Sequence, residues 1–325
     1  MTSTHAIVPE PSAHDGVCVA AVIVTYNPDI PTLDAMLASL RPQVDRIVIV
    51  DNGSQPHVVE RLNELASRFD CVVDALGDNA GIATAQNRGI ERMRSLFDGV
   101  PPEGQYVLLL DHDSIPGHDM VQRLLASDLQ LRARGVRVGA VGPVTVDRRT
   151  RTHARFIVAG RFWLARVPMS AEGDAAQRVD FLIASGTLVR GDVLDAVGGM
   201  DERLFIDHVD TEWCLRAASH RYQLFAVRDA YLDHSLGDEV IPVWMGRWRE
   251  AFVHSPMRDY YMCRNTILVL RSNAMPSAWR TFLVVRMIGS MVFFGLGVAP
   301  RRLRLLRMWQ GLCDGLAGKG GAKVF

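Results

Sequence analysis

The chain has 325 residues, of which 48% are hydrophobic and 22% charged, which is ordinary for a folded globular protein. Its formal net charge is zero, but residues 271–325 hold nine Lys or Arg and one acid, Asp314. Five scattered cysteines without a CxxC pair exclude a disulfide framework and a zinc site, and indicate reduced thiols. Residues 1–16 are polar and predict a flexible lead-in, with no signal peptide.

Four apolar runs, each closed by polar residues, predict the first strands of a sheet. They occupy residues 17–24, 47–50, 71–73 and 106–110. Continuous β-branched or leucine runs are typical of strands covered on both faces. Helix-length segments lie between them, at residues 32–40, 58–69 and 82–97. Strand alternating with helix predicts a parallel sheet of the α/β class.

Polar clusters follow the ends of these strands. They are residues 25–27, 51–54, 79–81 and 111–113. In parallel sheets, ligands bind beyond the carboxyl ends of the strands. The sequence therefore predicts a binding site at one edge of the sheet.

The pattern loosens after residue 140. Residues 181–189 predict a strand with a small-residue kink, residues 192–197 a short helix, and residues 208–220 a longer helix.

Near the C-terminus, residues 282–298 are apolar but include Arg286 and Ser290, and fall short of the ~20 clean apolar residues that a membrane span needs. The adjoining segment 301–309 interleaves arginines with leucines. Together they predict a helix pair lying on an anionic bilayer. The alternative is a helical hairpin packed on the protein's own core or on a second subunit, giving a homodimer through the C-terminal helices.

The fourth strand ends on Asp111 and Asp113, separated by His112. Carboxylates at i and i+2 of an extended chain point to the same side. Such a pair can bind Mg²⁺ or Mn²⁺ through hard oxygen ligands. Chance copies of DxD are frequent, so the pair is a weak signal without its context.

Six pieces of sequence together are specific. They are VIVTYNP (22–28), IVIVDNGS (47–54), GDNAGIATAQNRG (77–89), LLLDHDS (108–114), SGTLVRGDVLDAVGGMDERLF (185–205) and DHVDTEWCLRA (207–217). In this order they resemble the family 2 glycosyltransferases, over residues 19–265. Within that family the chain looks most like bacterial rhamnosyltransferases, whose usual LDQDS is LDHDS here. The resemblance implies an inverting GT-A fold, a Rossmann-like, mostly parallel sheet flanked by helices.

The resemblance also implies a donor site. In it, Asp51 accepts a hydrogen bond from the pyrimidine N3–H, and small residues allow the nucleotide sugar to approach the backbone. The nucleotide-sugar-binding residues it implies are Thr25, Tyr26, Asn27, Asp51, Asn52, Asn79, Gly81, Asn87, Asp111 and Arg264. Alternative interpretations remain open: Asp51 as a turn former and Asn79 as a helix cap.

For chemistry, the resemblance implies that Asp113 is the direct metal ligand, with Asp111 and His234 in the same metal site. It implies that Asp210 is the general base. The family text there is Glu-Asp, and this chain has Val209-Asp210, which leaves Asp207 and Glu212 as rivals. The segment 254–265 is expected to order a lid over the diphosphate or the acceptor.

The expected function is a Mg²⁺- or Mn²⁺-dependent transfer of L-rhamnose from dTDP-β-L-rhamnose to a lipid-linked glycan, feeding a surface polysaccharide such as O-antigen. Alternatives are a UDP-sugar donor (galactofuranose, glucose or N-acetylglucosamine) and an inactive nucleotide-sugar-binding protein. An NAD-dependent oxidoreductase is disfavoured because no GxGxxG follows the first strand. No nucleic-acid-binding module is recognised.

The expected organisation has three parts: the flexible residues 1–16, a glycosyltransferase domain at 17–265, and a basic helical segment at 266–325 that contacts the membrane surface. The expected location is the cytoplasmic side, peripheral on the inner face of the cell membrane.

Overall fold

A computed structural model describes residues 16–148, 150–234, 239–244, 248–272 and 275–325. The side chains of residues 234, 239–244 and 248–252 lie outside the described residues. His234, predicted as a metal ligand, is therefore described by its backbone alone.

The strands are β1 (Cys18–Thr25), β2 (Arg46–Asp51), β3 (Val72–Ala75), β4 (Gln105–Asp111), β5 (Ser114–Pro116), β6 (Val138–Asp147), β7 (Phe156–Ala159), β8 (Leu164–Val167), β9 (Ala176–Val179), β10 (Leu188–Arg190), β11 (Gln223–His234), β12 (Glu239–Trp244) and β13 (Trp248–Val253). The α-helices are α1 (Ile30–Leu40), α2 (Pro56–Phe69), α3 (Ile82–Leu96), α4 (Met120–Ala133), α5 (Gly191–Val197), α6 (Val209–Ser219), α7 (Pro256–Leu270), α8 (Ser277–Val292) and α9 (Arg301–Leu316).

One large sheet organises the protein. Its strand order is β3-β2-β1-β4-β10-β6-β11-β5, and β9 also pairs with β11. The first four strands in this order are parallel, and β10 runs antiparallel between β4 and β6. The predicted α/β architecture, with a mostly parallel sheet flanked by helices, is confirmed.

The apolar runs fill two cores, one on each face of the sheet. On β1, Val22 and Val24 belong to the first core, and Ala21 and Ile23 to the second. Alternate residues of a strand point to opposite faces, so an unbroken apolar strand is covered on both. The register aligns Thr25 with Asp51, and Val24 with Asp111, which sets the ends of β1, β2 and β4 side by side. We call residues 25–27, 51–54, 79–81 and 111–113 the strand-end edge.

The prediction of a strand at residues 181–189 is wrong for most of this segment, because the strand observed there is Leu188–Arg190. The chain turns at Gly186, whose φ of +85° is open to glycine, and a Cβ there would overlap the Pro143 ring. Residues 181–187 therefore form a loop, which is joined to β4 by a hydrogen bond from the Gly186 N–H to the Leu109 carbonyl.

The C-terminal helices pack on the domain and not apart from it. The boundary predicted after residue 265 falls inside α7, and α9 packs along that helix. Arg304, expected on a membrane-facing surface, is only 3% exposed and pairs with buried Asp259 at 2.5 Å. We call α7, α9 and residues 318–325 the C-terminal bracket.

The length expected for the apolar segment is also corrected. A helix over Ser277–Gly297, 21 residues with a mean hydropathy of 1.4, is long and apolar enough to cross a membrane, by length and composition only. It continues α8 through a π-helical turn at Phe293–Gly297. In its most apolar window, 11% is buried within the protein.

Candidate active site

Asp51 sits at the centre of a hydrogen-bond network at the end of β2. Its carboxylate accepts from the Thr25 hydroxyl at 3.0 Å, from the Ser54 hydroxyl at 2.5 Å and from the Ser54 backbone N–H at 2.9 Å. A carboxylate offers about four lone-pair positions, so one acceptor position is left for an incoming N–H. The residue is 1% exposed. Asp51 therefore stabilises the turn that follows β2, and its recognition of a nucleobase stays a prediction.

Asn27 continues this network. Its backbone N–H donates to Ser54 Oγ at 2.7 Å, and its side-chain oxygen accepts from the Gln55 N–H at 3.0 Å. Tyr26 beside it is 48% exposed. An exposed aromatic ring next to a fixed carboxylate can cover the face of a flat base, whose edge the carboxylate would bind.

Asn52 and Asn79 join two of the polar clusters. The Asn52 amide donates to Asn79 Oδ1 at 3.1 Å and accepts from the Ala80 N–H at 2.9 Å. Asn79 Oδ1 also accepts from the Gly81 N–H at 3.1 Å. Gly81 is required by the protein's own packing, because a Cβ there would overlap Phe205. These residues shape the floor of the edge.

Asn87 lies one turn into α3, where its amide binds a distant loop. It donates to the Met200 carbonyl at 3.0 Å and to Glu202 at 2.8 Å, and accepts from the Met200 N–H at 2.7 Å. Both donors and the acceptor are thus occupied by protein. The structure gives Asn87 the role of holding residues 200–202 against α3, and its predicted contact with the nucleotide sugar stays untested.

Asp111 and Asp113 lie at the end of β4, half-buried. The Asp111 N–H donates to Ser185 Oγ at 3.1 Å, and Ser185 Oγ lies 2.8 Å from Ser114 Oγ. Ser185, 1% exposed, therefore binds the Asp111 backbone on one side of the pair and the Ser114 hydroxyl on the other. The sequence interpretation missed it, although the SGT that follows a kink in an apolar run was the available signal. His112 Nδ1 lies 3.3 Å from the Val24 carbonyl, away from the pair.

Asp210 occupies the first turn of α6 and faces the same region. Burial, and next the negative charge of Asp111, raise the pKa of its carboxyl to about 7 against the opposing effect of a hydrogen bond from the Ala184 N–H. Asp207 contributes a smaller repulsion. The structure thus brings the predicted base and the predicted metal ligand within electrostatic reach. A carboxylate that titrates near 7 can accept a proton under physiological conditions.

The two rival bases are held by arginines. Asp207, with 6% of its side chain exposed, receives two hydrogen bonds from Arg258, at 2.6 and 3.3 Å. Glu212 receives two from Arg216, both at 2.8 Å. Forked arginine pairs of this kind occupy the oxygens of a carboxylate with charge-assisted hydrogen bonds. Asp210 is left as the carboxylate of the three that no arginine binds among the described residues.

Arg264 has a structural position. It is 1% exposed, and its guanidinium donates to the carbonyls of Arg203, Leu204 and Gly321 at 2.6–3.0 Å. Asn265 beside it donates to the carbonyls of Leu204, Ile206 and Asp207. Both side chains hold the loop 203–207 that leads into α6. The structure gives Arg264 the role of tying this loop to Gly321, and its predicted contact with the donor stays untested.

A divalent cation fits the donor set at β4. Among the described side chains, no group of three or more His, Cys, Asp or Glu gathers as a ready-made metal cage. Mg²⁺, however, is commonly bound by one or two carboxylates together with substrate phosphates and water. Asp111 and Asp113 supply two carboxylates, and the His234 backbone pairs with Ser114 next to them. The residues suit a cation that arrives with a diphosphate.

Comparison with known proteins defines the class. The family model described as Glycosyl transferase family 2 matches residues 20–197. This chain belongs to that family, and it is a glycosyltransferase with a GT-A-like fold.

Individual relatives indicate which sugar such an enzyme transfers. The chain is 33% identical to a dTDP-rhamnosyl transferase, RfbF, of Shigella flexneri over 258 residues, which covers 79% of this chain and 81% of that protein. It is 28% identical to galactofuranosyltransferase GlfT1 of Mycobacterium tuberculosis over 263 residues, covering 78% and 82% respectively. A rhamnosyltransferase is the activity these similarities favour.

A solved structure agrees on the fold. The crystal structure of GalNAc-T7 with UDP, GalNAc and Mn²⁺ superposes with a TM-score of 0.56 at 15% identity, over 85% of this chain and 57% of that one. At this identity the likeness concerns the fold alone.

Proposed function

We propose that this protein transfers L-rhamnose from dTDP-β-L-rhamnose to a lipid-linked glycan acceptor, with inversion at the anomeric carbon. The observation that carries the donor assignment is the 33% identity to a dTDP-rhamnosyl transferase over 79% of the chain. UDP-galactofuranose is the second candidate donor, supported by the 28% identity to GlfT1.

In the proposed reaction, Asp210 acts as the general base. It removes the proton from the acceptor hydroxyl while that oxygen attacks the anomeric carbon from the face opposite the diphosphate. The new C–O bond forms as the bond to the diphosphate breaks, so a β-linked donor gives an α-linked product. The raised pKa of Asp210, about 7, suits a group that must accept a proton near neutral pH.

The strand-end edge is proposed to hold the nucleotide. Asp51 would bind the pyrimidine edge, Tyr26 would cover its face, and Asn27 and Asn52 would fix the turns that carry them. Asp111 and Asp113 would hold Mg²⁺ or Mn²⁺, which when bound offsets the negative charge of the departing diphosphate. His234 remains a proposed third protein ligand.

The acceptor and the membrane contact belong to the same proposal. Large apolar side chains are exposed along α8 and α9, among them Ile288, Leu296, Leu306 and Trp309. Exposed Arg301 and Arg302 lie at the start of α9. An apolar surface beside cations suits the cytoplasmic face of an anionic membrane, where a lipid-linked acceptor resides.

A donor panel tests the assignment. Purified protein in detergent with Mg²⁺ or Mn²⁺ receives dTDP-β-L-rhamnose, UDP-galactofuranose, UDP-glucose or UDP-N-acetylglucosamine, each with a crude lipid-linked acceptor, and nucleoside diphosphate release is followed. We expect release from dTDP-rhamnose alone, lost with Asp113→Ala. Release from UDP-galactofuranose alone would refute the rhamnose assignment and leave the fold and the mechanism in place.

A further inference from the structure

A cavity of about 270 Å³ lies between α7, α8 and α9, apart from the strand-end edge. One wall is cationic or polar and carries His254, Arg258 and Arg286. The lining also includes the apolar side chains of Phe294 and Met308. The volume is near the lower limit of small-molecule sites, ~300–1,000 Å³, and suits a compact charged group better than a whole glycan.

Arg286 is an exposed cation that lines this cavity and lies within reach of the charge of Asp207. Within the described part of the chain, its guanidinium makes no hydrogen bond or ion pair, whereas Arg258 binds Asp207 and Arg304 binds Asp259. Among the described residues that line the cavity the one acid is Asp259, and Arg304 already neutralises it. The cavity therefore has an excess of positive charge and favours an anion.

The cavity adjoins the catalytic region. Its Arg258 binds Asp207, three residues before the proposed base Asp210. Burial, and next the positive charge of Arg286, lower the pKa of His208 to about 4 against the opposing effect of Asp207, so Arg286 is also close to this loop. A ligand held by Arg286 would thus lie beside the segment that leads into α6.

The apolar surface of α8 begins next to the same cavity. Arg286, Ser290 and Phe294 line the cavity at a spacing of four, one face of the helix. The neighbouring stripe, Val285, Ile288, Val292 and Leu296, is 54–62% exposed. A cationic cavity thus leads directly onto an unpartnered apolar stripe, a combination that matches a molecule with an anionic head and a hydrocarbon chain.

We propose that this cavity binds the diphosphate of the lipid-linked acceptor, with Arg286 as its principal contact and the lipid chain running along the exposed stripe of α8. The inference rests on the proposed function, since it assigns the place of that acceptor. Guanidinium pairs with phosphate oxygens through forked hydrogen bonds, a role for which the Arg286 guanidinium is available because it makes no hydrogen bond or ion pair to the described part of the chain.

The test compares two synthetic acceptors: N-acetylglucosamine joined to a short prenol through a diphosphate, and the same sugar joined to the same prenol directly. Arg286→Gln is expected to raise KM for the diphosphate acceptor about 10- to 100-fold, the usual effect of losing a charge-assisted hydrogen bond. KM for the nucleotide sugar and turnover of the direct glycoside should not change. Arg178→Gln, which removes the same charge from an exposed position on β9 outside the C-terminal helices, is the matched control and should leave both KM values unchanged.

Binding is measured separately from turnover, by calorimetry with each acceptor and with inorganic pyrophosphate. Weaker binding of the diphosphate acceptor to Arg286→Gln supports the inference even if no donor of the panel is used, which would instead refute the proposed function. Equal binding of the diphosphate acceptor by Arg286→Gln and the unchanged protein overturns the inference. The inference is also overturned if Arg286→Gln binds the diphosphate acceptor normally and only its binding to phosphatidylglycerol vesicles, measured by sedimentation, is lost. Arg286 would then contact membrane headgroups.

Discussion

The strand-end edge and the C-terminal bracket are both rich in polar side chains, yet they use them differently. At the edge, Asp51 retains an acceptor position, and beside the edge burial, and next the charge of Asp111, raise the pKa of Asp210. In the bracket, Arg264 donates to three backbone carbonyls, and buried Arg304 pairs with Asp259. A carboxyl group with a raised pKa thus marks the candidate active site. The paired charges of the bracket, in contrast, stabilise the segments that support this site.

The end of the C-terminal bracket also contacts the loop 203–207, which leads into α6. The Gly321 N–H donates to the Arg203 carbonyl at 2.7 Å, and Lys319 and Lys323 bind Asp314, lowering the pKa of its carboxyl. The last residues of the chain are thus tied to the segment that precedes α6. The difference between the two regions can be tested by removing one charge from each.

Asp210→Asn is expected to have the largest effect. Loss of a general base lowers kcat by about 10²- to 10⁴-fold. KM for the nucleotide sugar should change little, because the side chain acts on the acceptor. Steady-state kinetics measure both. Glu212→Gln is the control: it weakens the pair with Arg216, so its expected effect is a lower melting temperature at nearly unchanged kcat. Activity that survives in Asp210→Asn would assign the base elsewhere.

Arg304→Met comes next, and it acts on stability. It leaves the Asp259 carboxylate buried without its cation, a change that costs about 3–5 kcal/mol. Denaturant unfolding gives the free energy. The double variant with Asp259→Asn should recover part of the loss, since no buried charge remains unpaired. A single variant as stable as the unchanged protein would mean that the pair contributes nothing to the bracket.

The pH dependence of kcat/KM should reflect the raised pKa of Asp210. Asp210 accepts a proton only in its ionised form, and its pKa is raised to about 7. Below that pH the rate should therefore fall about tenfold per unit, and above it level off. A bound divalent cation favours the ionised form and would shift the midpoint to lower pH. A midpoint near pH 4 at the lowest cation concentration that supports turnover would contradict the raised pKa of Asp210.

The smallest expected effect concerns the membrane surface. Arg302→Gln should weaken binding to phosphatidylglycerol vesicles by about 1 kcal/mol, the usual contribution of one basic residue at an anionic surface. Sedimentation with the vesicles measures this binding. Arg178→Gln, an exposed arginine on β9 outside the C-terminal helices, is the matched control and should have no effect. Equal binding by both variants at low salt would argue against contact through the start of α9.

The strand-end edge could be predicted from sequence because its signals are local. A buried run followed by Asp51, or by Asp111 and Asp113, carries its own context within a few residues. The roles of Arg264 and Arg304 could not be predicted in this way. Whether an arginine faces solvent depends on partners elsewhere in the chain, such as the Leu204 carbonyl or Asp259, which only the packing brings near.

The loop at 181–187 was missed for a related reason. Its residues are apolar enough for a strand, but Gly186 turns the chain and Ser185 supports the end of β4. Which of these competing tendencies prevails is decided by the pairing of Leu188 with Leu108 on β4 and Val141 on β6. Long-range pairing of this kind has no signature in the local sequence.

The configuration of the product tests the central claim most directly. Transfer from dTDP-β-L-rhamnose, with the one-bond C–H coupling of the new anomeric carbon measured by NMR, reports on which face the acceptor attacked. Attack assisted by Asp210 opposite the diphosphate predicts an α-linked rhamnose, absent with Asp210→Asn. A β-linked product would show retention, and would contradict a single displacement at the strand-end edge.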